Sequence, residues 1–379
     1  MAKLERVVIS GGGTGGHINP ALAIADEIKS RYPNCIINFV GAKGRMEMTK
    51  VPSAGYEIEG LWISGIERKL TSLKNLSFPF KLLSSLFKAG RLLRKHKPQI
   101  AIGVGGFASG PLLFRASKKG IPTLIQEQNS FPGITNRILA SKVHKVCAGF
   151  PGLERWFPAD KIIETGNPLR SSVLTLLSGG DKNEAIEHFK LKDDKKVVFI
   201  MGGSLGAASM NSAVKKIVES FIKNGQADYS ILWQCGERYY GECSNWLSDL
   251  SADNPWLAGS VKCLGFIDRM GLAYTAADAI GSRAGAMSIS ELSLVAKPTI
   301  LIPSPHVTED HQTKNAKSLV DRNSAIMLSD KDVVNELGAV LTKLLHDEEK
   351  SKEMCNALRD SAKADACKLI VDEVEKLIS

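Results

Sequence analysis

No apolar run in this chain approaches the ~18 residues that span a bilayer, and its first residues lead straight into a strand pattern, without a charged-then-apolar signal. The expectation is a protein that stays in the cytoplasm. The seven cysteines (35, 147, 235, 243, 263, 355 and 367) form no C-x-x-C pair. They read as free, mostly structural thiols in a reducing compartment rather than as a disulfide framework or zinc site. No Asp-x-Asp ends a strand, and Asp193-Asp194 falls in a lysine-rich turn that reads as a solvated loop. His306, Glu309, Asp310 and His311 show no ordered ligand spacing and read as a loop. No metal and no cofactor is expected, so negative charge on a leaving group would be met by helix dipoles and the protein's own cations.

Acidic residues are missing from one stretch. Between Arg68 and Lys97 lie nine Lys and Arg and no Asp or Glu, whereas the rest of the chain carries 40 of each sign, so the whole net charge of +9 resides there. Leu82, Leu83, Leu86, Phe87, Gly90 and Leu93 follow helical spacing, with Lys81, Lys88 and Lys95 on another face and Arg91 among them. A basic, apolar-edged helix can rest on an anionic membrane surface, each nearby cation contributing about 1 kcal/mol. It can equally be a solvated helix with a core stripe. Nucleic acid is not expected as a partner, because no aromatic-interleaved or helix-turn-helix reader is present.

At 379 residues, with 44% hydrophobic and 23% charged residues, the chain has the size of two ordinary globular domains. Apolar strands alternate with helical patterns, as in an open parallel α/β sheet. One series covers residues 6–10, 36–40, 100–104, 122–126 and 144–148; a second covers 197–201, 229–234, 261–264, 278–281 and 298–302. Each opens with a strand, a glycine loop and a helix, first through Gly11-Gly12-Gly13-Thr14-Gly15-Gly16-His17, then through Gly202-Gly203-Ser204-Leu205-Gly206-Ala207. Such loops let backbone N–H groups and a helix N-terminus meet a diphosphate. The first loop fits neither a dinucleotide nor a Walker site. Its second strand ends in Gly41 rather than an acid, and His17-Ile18 stands where Lys-Ser/Thr is required. Further small-residue loops follow at 103–111 and 282–291. The pattern predicts two facing Rossmann-like domains, residues 1–166 and 167–351, with a ligand cleft between them and a C-terminal helix near 352–379 returning to the first.

GGGTGGH at 11–17, Gln126-Glu127-Gln128-Asn129, Gly166-Asn167-Pro168-Leu169-Arg170, GGSLGA at 202–207, Gly265-Phe266-Ile267-Asp268-Arg269-Met270, the Arg283–Glu291 loop and His311-Gln312-Thr313-Lys314-Asn315-Ala316 occur in a characteristic order. In this the chain resembles the MurG family of peptidoglycan glycosyltransferases over nearly its whole length. The resemblance implies a GT-B fold and an inverting transfer of GlcNAc from UDP-GlcNAc to the 4-hydroxyl of MurNAc in lipid I, giving lipid II. It places Thr14, Gly15, Gly16, Asn129 and Arg170 at the donor, Ser204 at the UDP diphosphate, and Ile267 at uracil. Ala286, Met287, Ser288 and Glu291 fall at diphosphate and ribose, and Gln312 at the GlcNAc hydroxyls. Gly13, Asn19, Gly105 and Gly106 fall on the acceptor side. His311 stands where some members have a second glutamine, and Leu205 replaces a polar residue seen in some members. The resemblance also favours membrane docking by Lys81, Lys88, Arg91 and Lys95 at the cytoplasmic face of the bacterial inner membrane, in the company of the cell-wall synthesis machinery.

His17 is the candidate base for the attacking sugar hydroxyl, since histidine titrates near neutrality. Alternatively it orients the acceptor or hydrogen-bonds the diphosphate. The rival functions are a UDP-sugar 2-epimerase, a related lipid glycosyltransferase and a non-catalytic nucleotide-binding scaffold.

Overall fold

The computed structural model describes residues 3–65, 76–170, 173–175, 180–203 and 205–379. They divide into two compact units, 1–171 with 363–379, and 172–362.

The first unit is built on a parallel sheet of seven strands among the described residues, in the order β3-β2-β1-β4-β5-β6-β7. These are β1 (Arg6–Ser10), β2 (Ile36–Ala42), β3 (Glu57–Leu61), β4 (Ile100–Gly103), β5 (Thr123–Glu127), β6 (Lys145–Ala148) and β7 (Ile162–Glu164). Val7, Val8, Ile9, Ile100, Ala101 and Ile102 are fully enclosed because helices cover both sheet faces, which is why the central strands read as unbroken apolar runs. The order reverses between β1 and β4, so the chain departs in opposite directions from two adjacent strand ends and leaves a crevice there. The loops 11–17 and 103–109 both begin at that crevice.

The second unit repeats the plan with β8 (Val197–Met201), β9 (Ser230–Gln234), β10 (Val261–Leu264), β11 (Ala279–Ser282), β12 (Thr299–Leu301) and β13 (Ile326–Met327), in the order β10-β9-β8-β11-β12-β13. Its reversal lies between β8 and β11, from which the loops 202–207 and 283–285 depart.

Two expected boundaries differ from those observed. Gly166-Asn167-Pro168 lies inside the first unit rather than opening the second: Asn167 is buried, receives a hydrogen bond from Gln126 at 3.0 Å and donates to the Gln128 carbonyl at 3.0 Å. The segment expected as one C-terminal helix is two. Glu348–Ser361 belongs to the second unit, the backbone turns extended at Ala362, and Ala366–Ile378 packs on the first. Ile370, Val371 and Val374 join the core formed by Ile9, Ile24, Ile28 and Ile102. At the rim of this contact Arg31, on the first helix (Gly15–Arg31), bonds Asp372 at 2.6 Å and Glu375 at 3.1 Å.

The Ile370 side chain therefore completes the core of the first unit. Ile370→Ala is expected to cost that unit about 2–4 kcal/mol. The midpoint of its urea transition should fall accordingly, and an unchanged midpoint would contradict this placement.

Candidate active site

In the first unit the glycine loop and His17 are held from beneath by a buried carboxylate. Glu47, in the first turn of the helix Glu47–Ser53, accepts from the Gly13 N–H at 2.8 Å and the Ala42 N–H at 2.9 Å. Gly13 therefore turns its N–H inward, towards that carboxylate. The first helix begins at Gly15 with Thr14 extended before it, no side chain capping it and no acid in its first turn. An uncapped N-terminus of this kind is suited to an anion.

His17 stands in that first turn. Its Nδ1 lies 3.0 Å from the Gly12 carbonyl and 3.5 Å from the Thr14 hydroxyl. A carbonyl can only accept, so the neutral ring carries its proton on Nδ1 and presents a lone pair on Nε2. Burial pulls the imidazole below its ordinary value near 6.5, opposed by Glu127, the Gly12 carbonyl and Glu47, each of which favours the charged form. The ring is consequently neutral at pH 7, as a base requires. The loop after β4 closes against it: Gly105 has φ of +95°, and a Cβ there would lie 2.8 Å from His17 Nε2. Gly106, with φ of +88°, lies so close to the Gly12 backbone that a Cβ would stand 2.5 Å from its oxygen. These two glycines are required by backbone conformation and by close approach together.

Glu127, at the end of β5, is a second buried carboxylate. It accepts from the Asn129 N–H at 3.0 Å and side chain at 3.2 Å, from the Gly133 N–H at 3.1 Å and from Asn136 at 2.8 Å. Asn129 is thereby held at the strand end beside the crevice, while Asn19 is exposed on the first helix. Arg170 follows the last strand of this sheet. Its Nε bonds Asp26 at 2.9 Å, and Asp26 also accepts from the Tyr56 hydroxyl at 2.8 Å. The arginine expected with the donor residues thus belongs to the first unit, where it fastens the chain leaving Pro168 to the first helix.

In the second unit, Ser204 lies outside the described residues. Its neighbour Leu205 is 81% exposed, an apolar side chain in solvent. The helix Ala286–Val295 starts with no side-chain cap and no acid in its first turn, which leaves the N-terminal N–H groups around Ala286, Met287 and Ser288 directed outward. Arg283 braces this loop by bonding Asp330 at 2.5 Å, the Ile302 carbonyl at 3.1 Å and the Ser209 hydroxyl at 3.1 Å. Gln312 bonds it from the other side, its Oε1 accepting from the Ala284 N–H at 3.2 Å and the Ser304 N–H at 2.8 Å. That fixes which end of the amide is committed and turns the NH2 end outward as a donor. Ile267 is buried behind the half-exposed Phe266. Glu291, one turn into its helix, accepts from the Tyr274 hydroxyl at 3.0 Å. Burial pushes its carboxyl up to about 7, against the tyrosine bond, which lowers it.

The helix Phe78–His96 sorts its charges unexpectedly. Lys81 bonds the Ser64 hydroxyl at 3.1 Å, Lys88 the Gly60 carbonyl at 2.8 Å and Lys95 the Glu59 carboxylate at 2.9 Å. The lysine stripe grips β3 and the segment after it. The free face instead carries Phe80, Leu83 and Phe87, exposed by 70, 55 and 70%, with Arg91 and Arg94 continuing it. Arg68, Lys69 and Lys74 lie outside the described residues.

Glu47, Tyr274 and Asp330 were not singled out from the sequence. Only the spacing of Glu47 beyond Gly41, at the end of the second strand, offered a signal.

Two doubly wound units, each with a glycine loop and an uncapped helix at its switch point, are the architecture of the GT-B fold class. Residues 7–148 match the glycosyltransferase family 28 N-terminal domain and residues 197–370 its C-terminal domain. A curated relative from Flavobacterium psychrophilum is 48% identical over 98% of both chains, and one from Christiangramia forsetii is 50% identical over 99% of this chain and 98% of its own. Both are named UDP-N-acetylglucosamine–N-acetylmuramyl-(pentapeptide) pyrophosphoryl-undecaprenol N-acetylglucosamine transferase. The crystal structure of Acinetobacter baumannii MurG superposes with a TM-score of 0.78 at 28% identity, covering 98% of this chain and 99% of that one. The chain belongs to glycosyltransferase family 28, in its MurG branch.

The Glu291 carboxyl binds its proton more tightly folded than unfolded, so its contribution to stability falls as pH rises from about 4.5 towards 7. Glu291→Gln removes that dependence. Its melting temperature should fall less than the wild type's between pH 5 and pH 8, and parallel curves would refute the shift.

Proposed function

We propose that this chain transfers GlcNAc from UDP-GlcNAc to the 4-hydroxyl of MurNAc in undecaprenyl-diphosphate-linked MurNAc-pentapeptide, with inversion at the anomeric carbon. The observation that carries the catalytic reading is the His17 ring, locked with its Nε2 lone pair free at the first switch point. Nε2 takes the proton from the acceptor hydroxyl as that oxygen bonds to the anomeric carbon and the bond from that carbon to the UDP oxygen breaks. The departing diphosphate carries the electron pair. Its charge is met by the N–H groups at the start of the helix Ala286–Val295 and by the loop containing Ser204. Glu291 accepts from the ribose hydroxyls, Ile267 reads uracil through its backbone, and the free amide donor of Gln312 meets the GlcNAc hydroxyls. Thr14, Gly15, Gly16, Asn129 and Arg170 complete the donor side, and Gly13, Asn19, Gly105 and Gly106 shape the acceptor side.

The acceptor is a lipid, and the helix Phe78–His96 offers the surface to reach it. Phe80, Leu83 and Phe87 enter the interfacial layer of the inner membrane's cytoplasmic leaflet while Arg91 and Arg94 meet anionic headgroups. Lys81, Lys88 and Lys95 add to the positive field from behind. At this surface the enzyme would meet the cell-wall synthesis machinery.

Transfer of label from UDP-GlcNAc to a lipid I analogue tests the reaction, and UDP release with no labelled lipid overturns it. His17→Ala should lower kcat by about 10²-fold or more with little change in the KM for UDP-GlcNAc. Near-normal turnover would remove the base assignment alone. For docking, Phe80→Ser with Phe87→Ser should weaken binding to anionic vesicles at least tenfold, and Arg91→Glu should weaken it more than Lys88→Gln. Equal binding by all three proteins would exclude this face.

A further inference from the structure

The Gly12–Gly13 peptide joins two features so far described separately. Its N–H donates to Glu47 Oε2 at 2.8 Å, and its carbonyl oxygen lies 3.0 Å from His17 Nδ1. In a trans peptide these two groups point in opposite directions from one rigid plane. The carboxylate, the peptide and the imidazole therefore form a single hydrogen-bonded line. Glu47 is 1% exposed, and its other oxygen is fixed by the Ala42 N–H. The chain is built around this placement: a Cβ on Gly12 would lie 2.2 Å from Glu47 Oε1, and one on Gly41 2.6 Å from its Cγ. Gly12 is thus a glycine because a carboxylate occupies the space of its side chain.

We infer that Glu47 is a positioning residue for catalysis, acting on His17 through the Gly12–Gly13 peptide. The inference rests on the reading of His17 as the base. A negative charge on the N–H side polarises the peptide and makes the Gly12 oxygen a stronger acceptor. That holds the imidazole in the Nδ1–H form with Nε2 free. It also favours the imidazolium that forms when Nε2 takes the hydroxyl proton. The arrangement performs the work of a carboxylate bonded directly to histidine, with one amide interposed. The charged groups facing His17 are Glu47 from the helix after β2 and Glu127 from the end of β5. Glu127 acts across space, whereas Glu47 also acts along hydrogen bonds.

Glu47→Gln keeps the size of the side chain and removes its charge. It should lower kcat about tenfold or more while the KM for UDP-GlcNAc stays within about twofold, on the scale of losing a supporting partner of a histidine ligand. The acid limb of the kcat–pH profile should move to lower pH, because the imidazole loses an anion that favoured its protonated form. Glu47→Asp, which retains the charge, should restore the limb towards its wild-type position. Side-chain ¹⁵N spectra of histidine-labelled protein should show neutral His17 protonated on Nδ1 in the wild type and a mixture of tautomers in Glu47→Gln. An unmoved limb and an unchanged tautomer in a folded Glu47→Gln would overturn the inference. Should that variant not fold, an Nε2–H tautomer in the wild-type spectrum overturns it alone. If His17→Ala retains turnover, the base reading fails, and the tautomer spectra still decide whether Glu47 governs the ring.

Discussion

A loop made largely of glycine has almost no side chains with which to hold its own shape, so something beneath it must take its N–H groups. In the first unit the buried carboxylate of Glu47 does this, and a second, Glu127, serves the loop after β5 in the same way. Glu47 takes the N–H groups of Gly13 and Ala42, and Glu127 gathers those of Asn129 and Gly133 with the Asn136 amide. Burying a carboxylate is costly unless its oxygens are fully hydrogen-bonded, which makes each loop and its carboxylate mutually dependent. The loop is ordered because the charge needs its donors. The outward N–H groups at the start of the first helix then remain available to an anionic ligand.

The second unit solves the same problem with a different cation and anion set. Arg283 and Asp330 tie the loop after β11 to Ser209 and the carbonyls at the end of β12, and Gln312 closes it from the opposite side. Polar side chains that could have been ligand contacts are partly committed to holding the backbone. What reaches outward is the remainder: one amide end of Gln312, the N–H groups of an uncapped helix, and a carboxyl on Glu291 whose affinity for its proton is raised by burial.

Much of this was legible in the sequence because buried parallel strands leave unbroken apolar runs, and strand-to-helix turns at switch points need glycine. The strands that escaped notice, β3, β7 and β13, all lie at sheet edges. There one side meets solvent, and Glu57-Ile58-Glu59 or Ile162-Ile163-Glu164 carry no long apolar run. Arg170 was read from its motif as a donor contact; its ion pair with Asp26, 144 residues away, is announced by no local pattern. The lysines at 81, 88 and 95 were rightly placed on one face of a helix; that this face turns towards β3 depends on tertiary packing, which periodicity alone does not orient. The role of Glu47 was hard to read for a similar reason, since its neighbours Gly12 and Gly41 come from two different strand ends.

The return of the last helix to the first unit has a bearing on how the protein is made. Ile370, Val371 and Val374 belong to the same core as Ile9 and Ile24, yet a ribosome delivers them some 350 residues later. At 5–20 residues per second, the first sheet waits on the order of half a minute with one apolar flank uncovered, while the second unit, continuous from 172 to 362, can close on itself in the interval. Biosynthesis thus reverses the order of the chain: the half begun first is the half finished last.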